Sequence, residues 1–129
     1  MAIPEPSPGL VVRYDYLWSR EAAAGRTQGK DRPAYLVAAS DSETKPRFVV
    51  LLPITHSPPI GDTVAIEIDE PSWVIVSEYN VDEWPNGLSS IPGKPDVFAY
   101  GFIPPGLFAR IKTRLLELAR QNKGDVLRR

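Results

Sequence analysis

A single histidine, His56, directly follows Thr55 and lies three residues after Pro53. Upstream, Lys30, Asp31 and Arg32 run straight into Pro33 and Ala34. These residue types supply what a phosphate ester requires. Arginine grips a phosphate with two parallel hydrogen bonds. Threonine offers a hydroxyl donor, and histidine moves a proton near neutral pH. RNA brings its own nucleophile, the 2′-hydroxyl. Its cleavage takes a base for that proton, an acid for the departing 5′-oxygen and a cation for the charge on phosphorus. Arg32, Thr55 and His56 could supply that set without a metal. The same residues also have plain readings. An arginine before a proline at the start of a strand serves as a solvated side chain or a surface ion pair. A Thr-His pair after a strand serves as a turn.

Other chemistries are excluded or poorly served. There is no cysteine, so a disulfide scaffold, a thiolate zinc site and a cysteine nucleophile are ruled out. One histidine cannot build a two-histidine metal site. The acidic pairs Asp69-Glu70 and Asp82-Glu83 lack the alternating oxygen spacing of a calcium loop. Neither a Gly-x-Ser-x-Gly elbow nor a phosphate-binding glycine loop is present. No metal and no cofactor are therefore expected. Trp18 and Trp84 lie beside loops and are candidates for stacking RNA bases, whereas Trp73, inside an apolar run, is expected in the core. Lys30 is a candidate phosphate contact. Glu78 and Asn80 are candidates for the same surface.

The elements that must position these residues follow from composition and period. The chain has 129 residues, one domain's worth. Its 14 prolines are roughly twice the usual ~5%, which rules out a helical bundle. Residues 1–8 are expected as an extended proline-rich tail, and 9–129 as a single domain. In Leu10–Trp18, Val12, Tyr14, Tyr16 and Trp18 alternate with Arg13 and Asp15, the period of a half-buried strand. Ser19 is expected to cap a helical turn through Ala24 that Gly25 stops. Pro33 is expected to open a second strand, Ala34–Ala39, and Phe48–Leu52 to form a buried central strand that Pro53 ends. Further strands are expected at Val64–Ile68 after a Gly61-Asp62 turn, at Trp73–Val76, over Tyr79–Trp84 and at Phe98–Phe102. Phe108, Ile111, Leu115 and Leu118 form one apolar stripe on a C-terminal helix over 106–121. Five to seven short strands and one helix predict a mainly β fold, a small curled sheet or barrel.

Charge is divided along the chain. Residues 107–129 carry seven basic and two acidic side chains, whereas residues 1–106 carry eight basic and fourteen acidic ones. The acidic stretch over 62–83 would repel RNA, so it is expected away from an RNA groove, or as a dock for a basic segment of a partner. No charge-free apolar run approaches the ~18 residues of a membrane span, and the N-terminus lacks a secretory signal pattern, so a cytoplasmic location is expected.

These residues also carry a resemblance. Gly9-Leu-Val-Val, then Gly29-Lys-Asp-Arg32-Pro33-Ala34, an apolar strand and Leu52-Pro53-Ile54-Thr55 resemble, in order, the MazF/PemK toxins of type II toxin–antitoxin systems. The match runs over roughly residues 9–84. It implies an SH3-like β-barrel with a C-terminal helix and a homodimer. It also implies metal-independent endoribonuclease activity on single-stranded RNA that leaves a 2′,3′-cyclic phosphate. A cognate antitoxin protein would block the RNA groove. By position, Arg32 matches the family's catalytic arginine and Thr55 its catalytic Thr or Ser. Three positions depart from the pattern. Two residues, Lys30 and Asp31, separate the loop glycine from Arg32, where the family has one. His56 replaces a small hydroxyl residue, and Ser77-Glu78 stands where an Asp-Gln pair is common. The departures turn attention to His56 as the proton carrier and to Glu78 as an orienter of Arg32. They also motivate an alternative, a non-catalytic binding protein on the same barrel.

Overall fold

A computed structural model of the chain describes residues 3–43, 45–57, 65–69 and 72–129. The chain runs β1 (Leu10–Tyr16), α1 (Ser19–Ala23), β2 (Lys30–Ala39), β3 (Phe48–Thr55), β4 (Ala65–Asp69), β5 (Ser72–Ile75), β6 (Glu78–Glu83), β7 (Ala99–Phe102), α2 (Pro105–Arg120) and β8 (Asp125–Arg128). The fold is mainly β. Its strands form one open sheet in the order β4-β5-β3-β2-β1-β7, with β6 on the remaining part of β3 and β8 on β6. Neighbours are antiparallel except β6 and β8, which are parallel.

Strand alternation sorts the side chains onto two faces. On one face, Leu10, Val12, Tyr14 and Tyr16 of β1 pack with Ala34 and Leu36 of β2 and Val49 and Leu51 of β3. On the other, Tyr35, Val37, Leu52, Ile54, Val74 and Val76 pack with Ile111 and Leu118 of α2. The helix stripe does what its spacing predicts. Ile111 and Leu118 are buried, and Phe108 and Leu115 flank them. Pro105 occupies the first turn, where its missing N–H costs no helical bond.

Prolines explain where the strands depart from expectation. β2 begins at Lys30, so Pro33 lies inside it, opposite Arg13 of β1. The Arg13 N–H goes to the Phe98 carbonyl, away from β2. The Arg13–Pro33 pair therefore asks no N–H of the proline. β3 likewise passes through Pro53 to Thr55. Along its outer edge, Phe48–Leu51 pair with β6 and Ile54–Thr55 pair with β5, so Pro53 stands where the edge changes partner. A proline needs no edge donor there. The N-cap of α1 is Trp18 rather than Ser19, and the Glu21 carboxylate accepts the Trp18 N–H at 3.1 Å. The expected tail lies against the body: Pro6 is buried, Glu5 pairs with Arg47, and the Pro4 carbonyl accepts from Trp84. The expected Gly61-Asp62 turn and the start of its strand at Val64 lie outside the described residues, as does Glu70.

β8 is an addition that the sequence pattern did not reveal. Beyond it, the chain places Arg129 against β1, which is not a backbone neighbour of β8. A buried polar network fills that junction. The Asp82 carboxylate accepts the Tyr14 hydroxyl at 2.8 Å. The Asn80 side-chain carbonyl accepts the Leu17 N–H at 3.1 Å, and its amide donates to the Leu17 carbonyl at 2.9 Å. Asn80 is fully buried, so replacing it with alanine strands both Leu17 groups. Roughly 1–3 kcal/mol for each unpaired buried group is the expected loss. Urea unfolding of Asn80→Ala against the parent measures it; a midpoint equal to the parent's refutes the assignment.

Candidate functional site

Register brings Arg32 and Thr55 to one face of the sheet. Arg32 pairs with Tyr14 of β1, so its side chain shares that strand's core-facing side. Ala34 pairs with Pro53, and the same register continued for two residues sets Thr55 opposite Arg32. Thr55 in turn pairs with Trp73, and Trp73 with Glu67. Two paired rows thus meet at this rim, Tyr14 with Arg32 and Thr55 with Trp73 and Glu67, on either side of the point where β2–β3 pairing ends at Ala34 and Pro53. Trp73 is half-buried at this rim, not within either core as expected.

Arg32 is unusually placed for a cation. Its guanidinium carbon lies 5.4 Å from the centre of the Trp18 ring, and that of Arg20 lies 4.9 Å from it. Contacts of this kind favour a cation over an indole face. Trp18 meets Tyr16 edge-on, with ring centres 5.2 Å apart. Among the described residues, neither Arg20 nor Arg32 has an ion-pair partner, and the buried Arg32 Nε has no hydrogen-bond acceptor. Lys30, exposed and opposite Tyr16, adds a third positive charge to this end of β2. The Thr55 Oγ1 accepts the Ser57 N–H at 3.1 Å, which leaves its own hydroxyl proton to donate elsewhere. The corner can bind an anion and donate hydrogen bonds to it.

The remaining expected site residues divide differently. His56 is exposed, shares a 2.9 Å hydrogen bond with the Ser72 hydroxyl, and lines a groove with Arg13, Pro33, Ile54 and Tyr100. Arg13 and Ile54 belong to the sheet face opposite Arg32, so His56 is directed away from Arg32 and Thr55. Asn80 is not a ligand contact, because burial and Leu17 occupy it completely. Trp84 packs on the first core and donates to the Pro4 carbonyl at 3.2 Å, so it is a structural residue. Glu78 does not pair with Arg32. Its carboxylate accepts the Tyr16 hydroxyl at 3.0 Å and the Ser19 N–H at 3.1 Å. The acidic stretch is thus partly turned inward, with Glu78 and Asp82 accepting from buried tyrosine hydroxyls. Arg20 was missed in the sequence because nothing in its own neighbourhood marks it; only the tertiary approach to Trp18 does.

Burial raises the pKa of Tyr14 and Tyr16 well above the ordinary tyrosine range, and the adjacent carboxylates add to this. Both hydroxyls stay protonated donors. Among the described residues, no three His, Asp or Glu side chains are grouped to hold a metal ion, and no helix is long and apolar enough to cross a membrane. No family model, no curated protein and no solved structure matches the chain.

Glu78 gives a pH test. Burial is the largest influence on its carboxyl and raises its pKa, while the Ser19 and Tyr16 hydrogen bonds work in the opposite direction. The folded protein then holds this proton more tightly than the unfolded chain, whose carboxyl titrates near ~4.3. Stability from this group is present below that value and declines as pH rises through the folded value. Parent stability relative to Glu78→Gln should therefore fall as pH rises above about 4. Denaturant titrations of both proteins across that range check the sign, and a difference that grows with pH contradicts it.

Proposed function

We propose that the chain is a toxin of a type II toxin–antitoxin system, a metal-independent endoribonuclease acting on single-stranded RNA. The observation that carries this reading is the Arg32 guanidinium, without an ion-pair partner among the described residues, on the same sheet face and rim as Thr55. Supporting it are the basic neighbours Lys30 and Arg20 and the indole of Trp18. In this reading the curled sheet, with side chains bridging β8 to β1, is an SH3-like barrel. The protein works in the cytoplasm as a homodimer, and an antitoxin occludes the rim.

In this reading the reaction uses the groups at the rim alone. RNA lies along the rim with a phosphate against Arg32. The 2′-oxygen attacks phosphorus, forming the cyclic ester as the bond to the 5′-oxygen breaks. Arg32 offsets the charge on the non-bridging oxygens, and the Thr55 hydroxyl donates to one of them. The 2′-proton leaves to water and the 5′-oxygen takes one from water, because His56 is directed to the other face. Trp18, expected to stack a base, instead carries Arg20 and Arg32 over its ring and so helps hold both cations at the rim.

The placement of His56 also favours a second reading. Among the described residues, Arg32 and Thr55 have no histidine beside them, as in a non-catalytic toxin or adaptor on the same barrel. One experiment separates the two. Chelator-treated parent and Arg32→Ala are incubated with a long single-stranded RNA, and fragment ends are mapped. The nuclease reading expects discrete fragments with cyclic phosphate ends from the parent, and a loss on the order of 100-fold or more in the variant. Intact RNA with folded, antitoxin-free parent favours the binding protein.

A further inference from the structure

Among the described residues, the end of β2 that carries Lys30 and Arg32 is paired on one side only. Residues 30–33 pair with β1, and pairing with β3 begins at Ala34. The placement of these residues therefore depends on β1 and on the loop that precedes them. Arg129 grips both. Its guanidinium donates to the Tyr14 hydroxyl at 3.0 Å, the Asp15 carbonyl, the Asp15 carboxylate at 3.3 Å and the Thr27 carbonyl at 3.2 Å. Its side chain is 14% exposed; the bonds to Tyr14 and Asp15 are partly buried, and the bond to Thr27 reaches the surface. The other Asp15 carboxylate oxygen accepts the Gly29 N–H at 2.7 Å. At Gly29 a Cβ would come within 1.8 Å of the Tyr16 carbonyl oxygen, so the loop lies directly on β1. Thr27 and Gly29 are thus tied to a single ion pair, immediately before the two basic side chains. Tyr14, the residue across from Arg32, is tied to it as well.

We propose that Arg129 is a positioning residue for the Arg32 corner: through Asp15 it fixes the loop over 27–29 and so sets where Lys30 and Arg32 meet the RNA phosphate. The inference rests on the ribonuclease reading. It assigns no contact with substrate to Arg129 and acts through pre-organisation. Lysine keeps the charge but lacks the fork that spans Tyr14, Asp15 and Thr27 together.

The test uses the full chain as parent, Arg129→Gln, Arg129→Lys and Asp15→Asn, all well below their unfolding temperatures. Amide hydrogen exchange and RNA cleavage kinetics are measured on each. In Arg129→Gln the Gly29 and Lys30 amides should exchange at least ~10-fold faster, while β3 amides keep their protection. The kcat should fall on the order of 10–100-fold, with Arg129→Lys recovering part of it. Asp15→Asn should reproduce both effects. An unchanged Gly29 amide in Arg129→Gln overturns the clamp whether or not the protein cleaves RNA. Faster loop exchange with unchanged kcat overturns the positioning role, because a merely structural residue would behave that way. A parent that cleaves nothing overturns the ribonuclease reading and the catalytic consequence with it; the Gly29 amide then still reports the clamp separately.

Discussion

Two tyrosine hydroxyls inside an apolar face set the constraint on which the rest of the structure depends. Tyr14 and Tyr16 point into the core from β1, and a buried hydroxyl without a partner is costly. The partners come from β6, which is not a backbone neighbour of β1. Asp82 and Glu78 accept the two hydroxyls, and Asn80 between them holds Leu17. Side chains thereby join β1 and β6, two strands of the open sheet that no backbone hydrogen bonds connect. A Tyr14→Phe exchange would leave Asp82 buried without its donor, so neither side of the junction can change alone.

The same arrangement explains the split use of acidic residues. A run of carboxylates without a lysine or arginine looks, in sequence, like a surface for a basic partner. The pleat of β6 instead alternates them: Asp82 and Asn80 are buried, and Glu78 lies at the margin. The cations behave oppositely. Arg20 and Arg32 share an indole rather than a carboxylate, which leaves their hydrogen-bonding capacity available.

Much of the scaffold was legible because it follows simple periods. β1 showed its alternation, and α2 showed its stripe. The strands containing Pro33 and Pro53 run longer than their prolines suggest, since a sequence does not say which residues of a ladder must donate. β8 was invisible: Asp125–Arg128 is short, mostly exposed and has no periodic pattern. At the site, Arg32 and Thr55 emerged from residue type and order. His56 was grouped with them by adjacency, yet adjacent residues on an extended chain face opposite sides. Polarity and loop proximity suggest Asn80 and Trp84 as surface contacts, because neither property reveals burial. Arg129 had no local signal at all, as its partners lie at the other end of the chain.

That separation has a bearing on how the protein is made. Arg129 and Tyr14 are 115 positions apart. Translation delivers β1 early and its last core partner late. Until residue 129 has left the ribosome, the tyrosine face has β6 but lacks the guanidinium that completes the junction. Contacts of such long sequence separation form slowly, and exposed strand edges invite association in the interval. The nascent chain therefore passes a stage in which the β6 half of this seam can form and the Arg129 half cannot. A chaperone or a binding partner that recognises unfinished β-structure would meet this protein at that stage.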